Sequence, residues 1–247
     1  MANTQGECAI EDYIASFADR WGTDAATIEG WLADLRGDRA FLAAINDGIR
    51  DVPEFNGKQF VDVAEMRVYR VMLYLLTRAV KPAVFIETGV HNGMSSAFIL
   101  LAMEHNGTGK LISIDLPPLD QRILDQGTNA LPAQKKPGWL IPDRLRGRHD
   151  LRLGQAEFEL PQALKEVGEI DVFLHDSDHC YSHMMFEMAL AWAFLKPGGW
   201  IGADNVEQNA AFDDFARGVE GEPMIVSSFN SAERLWQHGL VDKKAAQ

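Results

Sequence analysis

The chain has 247 residues, 47% of them hydrophobic and 24% charged, which suits one large α/β domain with an appendage rather than two independent domains. A net charge of −13 excludes a broad nucleic-acid or anionic-membrane surface, since both need a basic face; the one local basic cluster is Arg144, Arg146, Arg148 and His149. Two cysteines, Cys8 and Cys180, exclude a disulfide framework, and the lack of a leader pattern or a long apolar run points to a cytoplasmic protein.

Residues 10–80 read as helices. Ile14, Phe17, Ala18 and Trp21 share a face, as do Ile28, Trp31, Leu32 and Leu35, then Phe41, Leu42, Ile45 and Ile49. Asp24 and Asp38 stand at N-cap positions, and Gly22, Gly37 and Gly48 where helices would stop. Val63–Ala79 is a stronger helix with Met66, Tyr69, Leu73 and Leu76 on one stripe, closed by Pro82. Nothing here carries chemistry by itself. Residues 1–81 are expected to be a helical cap or dimerisation segment, and their surplus of Trp and Phe predicts a homodimer or higher homo-oligomer.

From Pro82 the pattern becomes strand–helix alternation, the signature of a parallel sheet. Strands are expected at Val84–Glu87, Lys110–Asp115, His149–Gly154, Ile170–His175 and Trp200–Ala203, with helices at Ser95–His105, Leu160–Val167 and along the Met184–Leu195 stripe. Lys196–Gly199 reads as a turn, Val206–Arg217 as a helix, and Met224–Phe229 with Arg234–Leu240 as a final strand pair. Residues 116–147 hold five of the ten prolines, with a short helix expected at 120–129; so long a connection reads as a substrate-facing flap.

Glu87, Asp115, Asp176 and the pair Asp204-Asn205 close four different strands. In a parallel sheet those ends lie on one edge, so the acidic residues meet around one crevice. Carboxylates gathered there repel unless donors or a cation offset them. Glu87 and Asp115 can accept hydrogen bonds from hydroxyls or an amine of a nucleoside cofactor, while Asp176, Asp204 and Asn205 offer the oxygen donors that suit Mg²⁺ or Ca²⁺. Gly89 and Gly93 give a ligand access to the backbone.

At these residues the chain resembles the class I S-adenosylmethionine-dependent methyltransferases, over about residues 82–241. Glu87-Thr-Gly89-Val-His-Asn-Gly93 is similar to the family's first motif, with His91 where many members have the middle glycine. Asp115 falls at the ribose-binding acid, Gly154-Gln155-Ala156 at the adenine-contacting segment, and Lys196-Pro-Gly-Gly199 at the turn before strand five. Asp171–Tyr181 and Gly202–Val206 further resemble the cation-dependent, catechol-type O-methyltransferases and their bacterial relatives with an Asp-x-x-His-x-Tyr signature.

The resemblance implies an α/β, Rossmann-like, seven-stranded, mostly parallel sheet with an antiparallel last strand, forming a methyltransferase domain at 82–247. It implies that Glu87, Thr88, Gly89, Gly93, Ser95, Asp115, Gln155, Ala156 and Asp176 bind S-adenosylmethionine. Asp176, Asp204 and Asn205 would hold a divalent cation, Mg²⁺ first. The catechol enzymes place a lysine base where this chain has His179, so His179, with Asp176, is the expected catalytic group on a small hydroxylated acceptor. The competing expectations are a metal-independent N- or sugar O-methyltransferase with His179 as base, an NAD-dependent dehydrogenase, whose fingerprint the glycine spacing fits poorly, and a non-catalytic binding domain.

Overall fold

The structure, a computed structural model, describes residues 9–50, 52–55, 57–63, 67–117, 131–132, 135–229 and 235–244. Four helices come first: α1 (Ile14–Trp21), α2 (Ala25–Gly37), α3 (Arg39–Ile49) and α4 (Val68–Val80). Their starts follow from the sequence, since Asp24 accepts the Thr27 N–H and Asp38 the Phe41 N–H, each at 2.8 Å. Gly22 closes α1 in the left-handed region. Gly48 departs from expectation. It lies inside α3, where an added Cβ would stand 2.7 Å from Leu140, so its small size admits a neighbouring segment. α4 begins at Val68 rather than Val63, because Arg67 before it is extended (ψ 143°); Met66 lies outside the described residues.

Seven strands follow: β1 (Val84–Thr88), β2 (Lys110–Asp115), β3 (His149–Leu153), β4 (Ile170–His175), β5 (Leu195–Ala203), β6 (Met224–Phe229) and β7 (Leu235–Asp242). Their order is β3-β2-β1-β4-β5-β7-β6. The first five are mutually parallel, and β7 runs antiparallel to both β5 and β6. The chain winds outward from β1 to β3 and returns to β4 beside β1, which opens a crevice at their carboxyl ends.

The connecting helices are α5 (Met94–Asn106), α6 (Ala156–Val167), α7 (Tyr181–Phe194) and α8 (Ala211–Gly218). α6 starts four residues earlier than expected, with Gln155 as its N-cap. α7 passes straight into β5, so Lys196–Gly199 belongs to an irregular first part of the strand. Ile170 pairs with Leu195, but the register then shifts and Val172 pairs with Trp200. The helix expected over 206–217 is split into a 3₁₀ turn at Val206–Gln208 and α8, because extended Asn209 turns its side chain to cap the Ala211 N–H at 2.8 Å.

Alternation along the strands builds two cores. Phe85, Leu111, Val172, Leu174 and Trp200 face the layer containing α1–α5, while Ile86, Ile112, Phe173, Ile201 and Val241 face α6–α8. The amino-terminal aromatics largely serve the first core: Phe17 and Phe41 are fully buried, and Phe41 meets Phe98 edge-to-face at 5.2 Å. Among the described residues no helix is long and apolar enough to cross a membrane.

Of the 116–147 connection, the expected helix at 120–129 lies outside the described residues. The returning leg is tied to the glycine turn after β1: the Gly138 N–H donates to the His91 carbonyl and the Leu140 N–H to that of Asn92, both at 2.9 Å. The basic cluster on this leg is engaged within the chain. Arg144 bridges Asp38 and Glu104, Arg146 reaches Asp143 and the Gly138 carbonyl, and Arg148 donates to the Gly109 carbonyl.

Candidate active site

The glycine turn is shaped by its backbone. Gly89 has φ +83°, and a Cβ there would lie 1.8 Å from the Asp176 carbonyl oxygen, so the loops after β1 and β4 touch through the absence of a side chain. Gly89→Ala is therefore expected to lower the thermal unfolding midpoint and weaken binding of S-adenosylhomocysteine together, as read by a melt and by calorimetry. His91 also lies in the left-handed region (φ 47°), which explains why glycine suits this position in similar turns. Asp115 Oδ2 accepts the N–H groups of Val90 (3.1 Å) and His91 (2.7 Å), and its Oδ1 accepts that of Leu116. Burial raises the Asp115 carboxyl, and these three donors oppose the rise.

Glu87 is fully buried, with Ser113 donating to Oε1 at 2.6 Å and Ser96 bonding to the same oxygen. Burial pushes its carboxyl up to about 7 against those two hydrogen bonds. Its Oε2 is buried without a partner, which fits a site meant to receive an amine. A cationic ligand group there favours ionised Glu87. Affinity for S-adenosylhomocysteine should therefore climb as pH rises through about 7, and Glu87→Gln should flatten the rise; calorimetry between pH 5.5 and 8.5 measures both.

Thr88 is placed differently from its expected role. Its hydroxyl donates to Glu187 at 2.6 Å and its carbonyl accepts the Asp176 N–H, so both face the protein interior. Ser95 lies in the first turn of α5, behind Gly93 at its N-cap, while Gln155 and Ala156 open α6 beside Asp115, whose carbonyl accepts the Gly154 N–H.

The second half of the site follows β4 and β5. Asp176, His179 and Asp204 present ligand atoms all within 4.8 Å of one another. His179 Nε2 lies 3.9 Å from Asp176 Oδ1 and has no hydrogen-bond partner although it is buried. Burial and the charge of His175 lower the His179 imidazole, which keeps it neutral at pH 7. Burial and neighbouring Asp204 drive the Asp176 carboxyl well upward. Burial also opposes ionisation of Asp204, but its ion pair with His238 wins and holds it low. Asn205 follows in the left-handed region, at the head of the 3₁₀ turn. Two carboxylates and a neutral imidazole make a donor set fit for a divalent cation. A second such group, Asp38, Glu104 and His105, is already bridged by Arg144.

Several residues at this edge had no assigned role in the sequence reading. Tyr69, from the first turn of α4, donates to Asp176 Oδ2 at 3.2 Å and stacks on His238 with ring centres 4.2 Å apart. Arg67 lies over the Trp236 ring at 3.5 Å. Beneath the cluster, fully buried Glu187 gathers Thr88 (2.6 Å), His175 (2.5 Å), Ser177 (3.0 Å) and His183 (2.8 Å). It thereby ties the end of β1 to the loop that carries Asp176 and His179.

A family model described as a methyltransferase domain matches residues 86–206, which run from β1 through Asp204 to the 3₁₀ turn. No curated protein matches the chain in sequence. Solved structures match in fold. An O-methyltransferase from Bacillus cereus in complex with S-adenosylhomocysteine shares 14% identity at a TM-score of 0.57, over 87% of this chain and 100% of that one. TomG from Streptomyces achromogenes, an O-methyltransferase of tomaymycin synthesis in complex with S-adenosylmethionine, shares 15% at 0.56, over 89% and 96%. The Podospora anserina methyltransferase PaMTH1, with S-adenosylhomocysteine bound, shares 14% at 0.54, over 90% and 95%. The chain thus carries a methyltransferase domain, on the Rossmann-like fold of the class I S-adenosylmethionine-dependent methyltransferases.

Proposed function

We propose that the protein transfers a methyl group from S-adenosylmethionine to a hydroxyl oxygen of a small molecule, with a divalent cation held by Asp176 and Asp204. The observation that carries this reading is the convergence of Asp176, His179 and Asp204 on the sheet edge that also bears Glu87, Gly89 and Asp115. Glu87, with its unpartnered buried oxygen, would take the amino-acid end of the cofactor, and Asp115 the ribose, with the glycine turn between them. S-adenosylmethionine supplies an electrophilic methyl group, so the protein has to align the acceptor and remove a proton. Neutral His179 is the base for that proton. A cation at the two carboxylates, with the His179 imidazole left free of it, would lower the pKa of an acceptor hydroxyl.

A second reading rests on the contact of His238 Nδ1 with Asp204, which already gives one carboxylate a partner. In that case His179 works without a metal. Calorimetry with S-adenosylhomocysteine, then labelled methyl transfer to a panel of hydroxylated compounds with Mg²⁺, Mn²⁺ or EDTA, separates the cases. Binding followed by cation-stimulated turnover supports the proposal. Turnover indifferent to EDTA moves the assignment to the second reading, and failure to bind S-adenosylhomocysteine ends both.

A further inference from the structure

Eight of the twelve described arginines hold a carboxylate: Arg20, Arg36, Arg50, Arg78, Arg144, Arg146, Arg152 and Arg217. Arg67 and Arg70 do not, among the described residues. They stand at the N-cap and in the first turn of α4, three residues apart and so on one side of the helix. Both are close enough to Asp176 and Asp204 for their charges to interact, yet neither forms an ion pair. The geometry explains why. Tyr69, between them in sequence, takes Asp176 Oδ2, and His238 takes Asp204. Arg67 is seated instead on the Trp236 ring, and Arg70 Nε is buried with no partner. A buried guanidinium N–H without an acceptor is costly, and two cations at the positive end of a helix oppose its dipole. No acidic residue in that first turn offsets them. The arrangement makes sense when an anion completes it.

We propose that Arg67 and Arg70 form a subsite for a carboxylate carried by the methyl acceptor. The acceptor class is thereby narrowed to hydroxylated organic acids, a proposal that rests on the methyltransferase reading above. A planar carboxylate matches the guanidinium fork, and stacking on the Trp236 ring holds the Arg67 fork in place. The subsite adjoins the Asp176–His179–Asp204 cluster through Tyr69, so an acid anchored there places a neighbouring hydroxyl toward His179.

The test uses 3,4-dihydroxybenzoate and its methyl ester as probes of the full-length protein saturated with S-adenosylhomocysteine, with binding followed by calorimetry. The acid is expected to bind about tenfold more tightly than the ester, and Arg67→Gln and Arg70→Gln are each expected to bring the two within about twofold. Unchanged S-adenosylhomocysteine affinity in the variants reports an intact fold, and exposed Arg67 keeps the test open if Arg70→Gln fails to fold. Equal affinity for acid and ester, a preference that survives both substitutions, or no binding of the acid overturns the carboxylate subsite. Loss of S-adenosylhomocysteine binding by the unmodified protein overturns the methyltransferase reading instead.

Discussion

Asp204→Asn is expected to cut methyl transfer by about 100-fold or more while leaving S-adenosylhomocysteine affinity within about threefold. Asp204 is the most enclosed member of the cluster, pairs with His238, and follows β5, apart from the glycine turn after β1. The amide keeps the volume but removes the charge that both Asp176 and a cation would feel. Turnover with saturating S-adenosylmethionine, measured beside calorimetry, separates chemistry from cofactor binding. Equal activity of the variant and the parent in EDTA would remove the carboxylate from the chemistry.

Glu187→Ala is expected to destabilise the fold by about 3 kcal/mol, because it strands the fully buried Thr88 and His175 and removes the shared partner of half-buried Ser177 and His183. Glu187→Gln keeps one acceptor oxygen and should cost less. Denaturant unfolding at several pH values adds a signature. Burial opposes the Glu187 charge, but His175 and His183 hold its carboxyl down to about 2, against an ordinary 4.5. That contribution is complete above pH 4.5 and is lost as pH falls toward 2. Burial opposes charge on His183 as well, but Glu187 raises it above its ordinary 6.5, so its contribution is complete below 6.5 and fades above. The pair is strongest between about pH 4.5 and 6.5, and Glu187→Ala should erase that maximum. A stability profile with the same shape in the variant would show that the network does not set it.

Much of the fold was legible because strand ends and glycine turns announce themselves locally. Glu87, Asp115, Asp176 and Asp204 each close an apolar run, and the parallel-sheet rule brings such ends together without knowledge of any contact. Other residues lacked a local signal. His238 reaches Asp204 only because β7 returns antiparallel along β5, with Gly239 opposite Ala203. Tyr69 sits on a stripe that reads as core, and its ring is buried; only its hydroxyl enters the site. Glu187 did leave a trace, as one charged residue on the stripe of Met184, Met188 and Ala191, all fully buried. A carboxylate at such a position asks for several donors, and that demand could have been read before the structure. Gly48 and the Lys196–Gly199 segment were misjudged because a glycine's purpose depends on what approaches it.

α4 joins two duties in thirteen residues. From Val71 to Leu76 it is core, every side chain buried, while its opening turn presents Tyr69 and Arg70 to the catalytic edge just after Arg67. If the carboxylate subsite stands, substitution at exposed Arg67 can reshape what is recognised at little cost to folding, whereas substitutions one turn further along are screened first by stability. Relatives that have diverged in substrate should differ at the head of this helix and agree along its body, so a library confined to its first turn is the economical route to new acceptors.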